Sequence, residues 1–566
     1  MSSNNKELRN LMIAIAAFMA IMFGYNYFFE DYSHNSESVD VEETSNNSEQ
    51  ESNLSENVSF EKISIKDAIS RASRISIENS NVIGSIDLNG GILDGVSLKN
   101  YKQTTDENSD NVMLLTPRGT ETEYYYSINY KDKINDQNIS DNAVWSIIEN
   151  SANKAVIQTK TQYGVTIERS ITLDDGYVIT IKDRIVNGSN KDIKLSKSAD
   201  LIRANPVRNN YAVVFEGLIC NCKKSDVSEV KYSDIGKKEI LQDCKWIGYT
   251  DIYWLCSLLN KRDKNSAISY SKLGDDSYKI SLYSKSDIKI EKEQAIELSY
   301  SLFAGPKDIN LLKNYAKNLK LDKFEMAIDF GWFFMITKPL VRFMDLLERL
   351  FSNMGLVILF LTLLFKIITY PLTKKSFESA AKMREAQPKI AAIQKMYAHD
   401  KMRMNQEMIA FYKKEKVSPL AGCLPMLLQA PIFFCLYKVF FISIEMRHAP
   451  LFGWIRDLSA PDQLYIFNLF GLIDWTPPSF LKIGIWPLIM GITMFLQQKL
   501  SSSVKEKNNA AKTQEMKMQE NMMLIMPVLF TYICSSFPVG VIVYWTISNI
   551  LGIVQQHYAN TRVKKL

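Results

Sequence analysis

Residues 355–373 read GLVILFLTLLFKIITYPLT, and a single charge, Lys366, interrupts this apolar run. At about 1.5 Å per residue, the run nearly matches the roughly 30 Å hydrocarbon layer of a bilayer. Its polar positions share one side of a helix: Gly355, Thr362, Lys366, Thr369 and Thr373. Because an intramembrane charge costs about 3 kcal/mol on insertion scales, the run predicts a membrane helix with a functional hydrophilic side. The alternative is that Lys366, near the cytoplasmic end of the run, only extends its ammonium to the interface.

Other apolar segments predict five more membrane spans. They lie at residues 11–29, about 420–444, about 483–495, 522–536 and 539–554. Lys and Arg are concentrated in 374–416, in 499–520 and in the C-terminal tail, which the positive-inside rule assigns to the cytoplasm. We therefore predict a six-span α-helical bundle with both termini cytoplasmic. The first span favours an uncleaved anchor over a cleaved signal peptide, because the run is long and no small-x-small site follows it.

Two of the predicted spans are short. Segments 483–495 and 522–536 would reach only about 20 to 22 Å as helices, against roughly 30 Å of hydrocarbon. This length favours a locally thinned bilayer, in which a polar segment crosses beside the protein more easily. The alternative is that the helices extend past these boundaries.

The net charge of +5 and the 23% of charged residues are averages over two different kinds of sequence. Residues 32–57 are rich in Ser, Asn and Glu, which predicts a flexible acidic linker. In residues 58–325, apolar residues alternate with polar ones, as at Tyr177, Ile179 and Ile181, and turn sequences recur between such runs. A period of two predicts half-buried strands, so we expect a large exported antiparallel β-sandwich.

The histidines and cysteines limit the kinds of site that the β domain can hold. None of the four histidines lies between residues 35 and 398, which excludes a histidine-based site there. Cysteines in this domain could form a disulfide if it is exported, but the pairing is undetermined among Cys220, Cys222, Cys244 and Cys256. The C-x-C of Cys220 and Cys222 does not favour a zinc site, because no histidine lies nearby and no C-x-x-C pair accompanies it. We predict no metal and no cofactor.

Two amphipathic segments flank the 355–373 span. Residues 326–353 predict a helix along the outer membrane surface, the alternative being a helix packed on the β domain. Residues 374–416 predict a cytoplasmic helical hairpin whose apolar stripe contains Met404, Met408 and Phe411. Met-rich surfaces suit varied apolar partners, and simple packing within the hairpin is the alternative. The predicted division is then 1–31 anchor, 32–57 linker, 58–325 β domain, 326–353 interfacial helix, and 354–566 five-span helical core.

Several motifs resemble those of a known family. They are Thr369-Tyr370-Pro371-Leu372-Thr373, Lys382-Met383-Arg384, Gln387-Pro388-Lys389-Ile390, Gly422-Cys423-Leu424-Pro425 and Gln429-Ala430-Pro431-Ile432-Phe433. With them, residues from about 300 to 558 resemble the YidC/Oxa/Alb family of membrane-protein insertases, in its Gram-negative type with a large periplasmic domain. The resemblance implies a β-supersandwich for the exported domain, and a groove open to the cytoplasm and to lipid for the helical core.

The resemblance also implies site residues. Family members usually carry an arginine in the groove, and the matching position here is Lys366, which keeps the charge but lacks the bidentate guanidinium. The other matching groove and contact positions are Thr362, Ala430, Phe433, Tyr544 and Trp545. The polar stripes of the spans add Thr369, Gln429 and Ser548 to this groove.

The function implied by the resemblance is non-enzymatic. It is that of an insertase and chaperone, which inserts and helps to fold nascent membrane proteins in the bacterial inner membrane, alone or with the Sec translocon. Its partners would be those nascent proteins, the phospholipid bilayer and, weakly because the C-terminal tail is short, the ribosome, but not DNA. The alternatives are a transporter or channel that uses the same polar cavity, and a carbohydrate-binding envelope protein.

Overall fold

The computed structural model describes residues 63–71, 73–134, 137–140, 143–208, 214–222, 227–236, 239–241, 244–260, 266–415, 424–473, 475, 477–478, 481–502 and 525–563. The predicted anchor at 1–31 and the acidic linker at 32–57 lie outside the described residues. So does most of the basic segment 499–520.

The first half of the described chain is built of strands. In chain order they are β1 (Arg74–Glu78), β2 (Val82–Asp87), β3 (Ile92–Lys102), β4 (Asn111–Leu115), β5 (Tyr124–Asp132), β6 (Gln137–Asn138), β7 (Ser146–Ser151), β8 (Lys154–Lys160), β9 (Val165–Leu173), β10 (Val178–Asn187), β11 (Ile193–Ala204), β12 (Gly217–Cys222), β13 (Val227–Lys231), β14 (Glu239–Leu241), β15 (Cys244–Thr250), β16 (Trp254–Leu259), β17 (Ser266–Gly274), β18 (Ser277–Ser284), β19 (Ile288–Ile290) and β20 (Ala295–Pro306).

Within the described residues, these strands form two antiparallel sheets. The first has eleven strands in the order β1-β2-β3-β5-β11-β18-β17-β14, with β4, β6 and β19 paired to β3, β5 and β11. The second has nine strands in the order β13-β12-β15-β16-β20-β10-β9-β8-β7. Every second residue of β9 from Val165 to Leu173 is buried, as the period of two requires. The predicted large antiparallel all-β domain is confirmed.

An ion pair lies inside the core of this domain. Arg169 occupies one of the buried positions of β9, and both it and Asp183 on the neighbouring β10 are fully buried. Arg169 donates from Nε and Nη2 to the two carboxylate oxygens of Asp183, at 2.9 and 2.7 Å. Tyr130 of β5, in the other sheet, donates its hydroxyl to Asp183 at 2.7 Å. Nη1 of Arg169 donates to the Gly91 carbonyl at 2.9 Å, so the network ties the two sheets together.

The structure resolves the open question of cysteine pairing. Cys222 and Cys244, on the adjacent strands β12 and β15, form a disulfide. Cys220 and Cys256 are free and buried. Among the described residues, no group of His, Cys, Asp and Glu is arranged to hold a metal ion.

The helices follow the β domain, apart from the first. They are α1 (Ile65–Arg71), α2 (Ile309–Asn318), α3 (Phe334–Phe351), α4 (Met354–Met396), α5 (Lys401–Glu415), α6 (Leu424–Ile442), α7 (Ile485–Ser502), α8 (Ile525–Cys534) and α9 (Val539–Val563).

Helix α3 occupies most of the predicted interfacial segment. Its side containing Leu340, Met344 and Leu347 is buried, and the helix packs against α4 and α6. On its other sides, Met335 and Leu350 are exposed although they are apolar. The helix therefore packs on the apolar helices through one face and leaves further apolar side chains uncovered.

The lengths of the apolar helices bear on the predicted spans. In the part of the chain that the structure describes, two helical segments are long and apolar enough to cross a membrane, Met354–Ser379 in α4 and Val539–Tyr558 in α9, while Gln429–Ile442 and Ile525–Cys534 are shorter. Helix α7 has 18 residues, or about 27 Å. For this segment the alternative holds, that the helix extends past residue 495, because Gln, Lys and Leu favour helix and carry α7 on to Ser502.

The loop after α6 joins the helices to the β domain. Arg447 donates from Nη2 to the carbonyls of Lys102 and Gln103, at 2.6 and 3.1 Å. Its guanidinium lies 5.4 Å from the ring centroid of Trp254, within the range of a cation–π contact. This end of α6 is thereby fixed to strands β3 and β16.

A second residue of this loop should make stability depend on pH. Burial, together with the negative charges of Asp308, Glu348 and Asp345, raises the pKa of Glu445 to about 8. The folded state thus favours the protonated carboxyl, so its stabilising contribution is complete below the usual value near 4.5 and is lost as the pH rises towards 8. We expect Glu445→Gln to unfold at a higher temperature than the wild type at pH 8 but not at pH 5. Melting curves of both proteins in detergent at the two pH values check this, and an equal difference at both would contradict it.

Candidate functional site

Helix α4 has its polar residues and its exposed residues on different sides. Thr362 is fully buried, and Lys366 and Thr369 are half-buried. The exposed residues of the same stretch are large and apolar: Leu356, Phe360, Leu363, Ile367, Ile368 and Leu372. An exposed apolar side is what a helix shows to lipid. The polar stripe of the sequence thus faces the other helices and not the surroundings.

The threonines of this stripe use their hydroxyls within the helix. Oγ1 of Thr362 donates to the Ile358 carbonyl at 2.7 Å, Thr369 donates to Phe365 at 2.8 Å, and Thr373 donates to Thr369 at 2.9 Å. Such bonds satisfy the hydroxyl at the preceding turn of the same helix. The threonines therefore make the stripe only mildly polar, and its charge comes from Lys366.

Lys366 is the only charged residue of the stretch 355–373. Its ammonium has no ion-pair or hydrogen-bond partner among the residues that the structure describes. Its backbone carbonyl accepts a hydrogen bond from Nε2 of Gln555 at 3.1 Å, which joins α4 to α9. The amide oxygen Oε1 of Gln555 is buried without a hydrogen-bond partner among the described residues. A cation and an unsatisfied amide oxygen thus belong to one junction between two helices.

A second lysine in an apolar helix behaves differently. Lys438 lies in α6, and its ammonium pairs with the carboxylate of Asp329 at 2.6 Å. Asp329 also accepts the backbone N–H of Phe215 at 2.9 Å, so this pair joins α6 to the β domain. The sequence prediction missed Lys438, although a charge inside the apolar run 424–442 was the same signal that identified Lys366. Lys438 thus belongs to a structural ion pair, whereas the ammonium of Lys366 has no such partner in the part of the chain that the structure describes.

Helix α9 connects the polar residues of the other helices. Gln429 of α6 donates from Nε2 to the hydroxyl of Tyr544 at 2.7 Å. One turn further along, Ser548 is buried. Asn549 donates to Oγ1 of Thr493 on α7 at 3.3 Å. Hydrogen bonds between apolar helices hold the helices in register, so the structure brings three of the predicted residues, Gln429, Tyr544 and Ser548, together around α9.

Aromatic side chains form a second cluster beside this polar one. The rings of Phe433 and Trp545 have centroids 4.7 Å apart, and Trp545 also contacts Phe530 of α8 at 5.4 Å. Tyr437, one turn after Phe433, lies 5.1 Å from Phe537. Ala430, one turn before Phe433, is half-buried. The predicted contact residues Phe433 and Trp545 therefore meet in one seam between α6, α8 and α9, to which the sequence prediction did not assign Phe530.

The predicted cytoplasmic hairpin is formed by α5 and the second half of α4. Helix α4 continues through the predicted boundary at residue 374 to Met396 without a break. Met404, Met408 and Phe411 are half-buried on α5, whereas Met402 and Ile409 are exposed. The Lys389–Glu415 ion pair, at 2.9 Å, links the two helices. The predicted stripe is thus partly covered by the hairpin itself, and the more accessible apolar residues lie beside it.

These features define a class of helical membrane protein that carries a large β domain outside the membrane. Residues 74–343 match the family described as YidC periplasmic domain, and residues 346–565 match the 60Kd inner membrane protein family. The chain is 37% identical to the membrane protein insertase YidC of Rickettsia prowazekii, over 98% of this chain and 99% of that protein, and it is 37% identical to that of Rickettsia felis over the same shares.

A crystal structure of an active YidC insertase aligns with 86% of this chain and 92% of its own, at 17% identity and a TM-score of 0.35. A galactose mutarotase-like protein from Lactobacillus casei aligns with 41% of this chain and all of its own, at 10% identity and a TM-score of 0.31.

The chain belongs to the YidC family of membrane protein insertases. It is accordingly an inner-membrane protein with a periplasmic domain. The family is one of insertases and not of enzymes, as the sequence resemblance implied.

Proposed function

We propose that this protein inserts nascent proteins into the inner membrane and helps them to fold, through a groove between α4, α6 and α9. The observation that carries the proposal is Lys366, a membrane-depth cation whose ammonium has no partner among the described residues. Membership of the insertase family supports it. The groove residues are Lys366, Thr362, Thr369, Gln429 and Ser548.

The groove works by lowering an energy barrier and not by covalent chemistry. A polar tail or short loop that enters bare hydrocarbon loses its hydrogen bonds to water, at a cost of several kcal/mol for each unpaired group. The side chains of Gln429, Tyr544 and Gln555 offer it amide and hydroxyl partners at membrane depth. Lys366 offers a transient attraction to carboxylates of the tail, as a point charge that does not fix their geometry.

The apolar helix of the substrate takes a different path. It moves along the aromatic seam of Phe433, Trp545 and Phe530 between α6 and α8, and from there into lipid. Aromatic rings present a large, rigid apolar surface, so many different apolar segments can slide along it. Ala430, Tyr544 and the seam residues are the substrate contacts in this proposal.

The arrangement in the membrane completes the proposal. The protein has six spans, with the first at residues 11–29, both termini in the cytoplasm and the β domain in the periplasm. The hairpin of residues 374–416 receives substrate from the ribosome, to which the protein binds weakly. The Sec translocon hands over some substrates, and others insert without it.

Depletion of the protein in its own cells tests this function. Short membrane proteins with small exported tails should remain accessible to protease on the cytoplasmic side after depletion, because their tails are no longer translocated. Normal protection of these tails after complete depletion would contradict the proposal. Ion or solute flux through purified protein in liposomes would instead favour the transporter alternative.

A further inference from the structure

An apolar loop projects from the periplasmic side of the helical core. Residues 443–484 connect α6 to α7, and Arg447 near the start of this connection is bonded to the β domain. The connection therefore lies on the same side of the membrane as that domain. Within it, residues 463–473, QLYIFNLFGLI, contain no charged residue and no histidine. We call these residues the apolar loop.

A buried carboxylate fixes the base of the loop. Asp462 is 4% exposed, and its Oδ1 accepts the indole N–H of Trp454 at 2.9 Å and the backbone N–H of Leu464 at 3.2 Å. Its Oδ2 accepts the backbone N–H of Trp486, in the first turn of α7, at 2.8 Å. The N–H of Ile466 also donates to the carbonyl of Ile483 at 3.0 Å. The loop is thus a rigid extension of α7 at its base.

The tip of the loop exposes large apolar side chains. Leu472 is 85% exposed, and Phe467, Leu469, Phe470 and Ile473 are exposed as well. Leu469 and Phe470 both have positive φ, of 49° and 60°, a conformation that disfavours side chains of this size. Two consecutive residues in this conformation must be held by hydrogen bonds or packing around them. Here the backbone N–H of Gly471 donates to both the backbone carbonyl and the side-chain Oδ1 of Asn468.

We propose that the apolar loop inserts into the outer leaflet of the inner membrane. The loop connects α6 to α7, which are both apolar helices. A loop between two membrane helices lies at the membrane surface. A cluster of so many exposed apolar side chains is rarely left in contact with water. The loop also has no charge that would oppose its entry into lipid.

The residues beside the loop suit the headgroup region. Trp454 and Trp475 flank it and are partly exposed, and tryptophan prefers the membrane–water interface. Lys482, whose ammonium lies 6.0 Å from the ring centroid of Tyr465, supplies a cation for lipid phosphates. Inserted in this way, the loop anchors the periplasmic end of α7 in the membrane.

A fluorescent label on the loop tests the proposal with the full chain. Leu472→Cys, labelled with an environment-sensitive nitrobenzoxadiazole dye, is reconstituted into phosphatidylethanolamine and phosphatidylglycerol vesicles. Val144→Cys is the matched control, since Val144 is 80% exposed on the β domain, and the unsubstituted chain measures labelling of the native cysteines. We expect blue-shifted emission at residue 472 and quenching by doxyl-labelled lipids several-fold stronger than at residue 144.

A second substitution connects the signal to the loop itself. Phe470→Asp added to the labelled Leu472→Cys chain should abolish most of the lipid quenching, because a carboxylate at the tip opposes insertion. It should leave the signal at residue 144 unchanged. Equal emission and quenching at residues 472 and 144 would overturn the proposal. Blue-shifted emission without lipid quenching would also overturn it, in favour of a loop covered by protein.

Discussion

Replacing Lys366 with glutamate should strongly reduce insertion of substrates with acidic exported tails, whereas Lys366→Arg should retain insertion. Two unit charges 4 Å apart interact by about 4 kcal/mol at an effective dielectric constant near 20, so reversal of the sign converts an attraction into a repulsion of similar size. A change of about 1.4 kcal/mol in a barrier changes a rate about tenfold. We therefore expect insertion of these substrates to slow more than tenfold in Lys366→Glu.

Protease protection of pulse-labelled substrates measures this effect. Substrates with uncharged tails should be affected much less, because the repulsion acts on carboxylates. Lys395→Glu, in the second half of α4 and within the proposed cytoplasmic hairpin, is the control for a change of net charge away from the groove. If the wild type, Lys366→Arg and Lys366→Glu insert acidic tails equally well, Lys366 has no electrostatic role.

Removal of the Asp183 carboxylate should have the largest effect on the stability of the β domain. Asp183→Ala would leave the Arg169 guanidinium fully buried without its counter-ion. It would also leave the Tyr130 hydroxyl without its acceptor. Breaking a buried ion pair in this way typically costs about 3–5 kcal/mol. We expect that loss in the free energy of unfolding, measured by proteolysis of the full chain across a urea series.

Two further variants test whether the loss of stability in Asp183→Ala comes from the unpaired buried charge. Arg169→Met combined with Asp183→Leu removes both charges and should regain much of the stability, because apolar replacements of buried pairs are often neutral. Glu149→Ala breaks the exposed Lys154–Glu149 pair and should change stability by less than about 1 kcal/mol. A loss in Asp183→Ala no larger than in Glu149→Ala would show that the buried pair is not a main support of the domain.

The periodicity of the sequence was sufficient to predict the β domain. At β9, alternate residues are buried from Val165 to Leu173, because one face of the strand must meet the core. The same alternation did not reveal that Arg169 takes one of the inward positions. Its partners come from β10 and, through Tyr130, from the other sheet, and such pairings depend on tertiary packing that no local pattern encodes. The Cys222–Cys244 pairing was open in the sequence for the same reason.

The polar residues of the candidate groove were predictable one helix at a time. The stripe of α4 and the residues Gln429, Tyr544 and Ser548 stand out in apolar runs. Which of them bond to one another depends on how the helices cross, as in the bond from Gln429 to Tyr544. The charge of Lys438 was visible in the sequence, but its structural role was not, because its partner Asp329 is far away in the sequence. The ends of α7 were misplaced because hydropathy detects the apolar part of a helix and not its polar last turn.

Photocrosslinking from the helices to a nascent chain tests the central claim most directly, that substrates pass the seam beside Lys366. Benzoylphenylalanine replaces Phe433 or Trp545 in the aromatic seam, or the exposed Ile368 of α4 as the lipid-facing control. Ribosome-bound membrane protein chains of defined length are then presented to each variant. The proposal predicts strong crosslinks from positions 433 and 545 and weak ones from 368. Crosslinks of equal or greater yield from position 368 would contradict it.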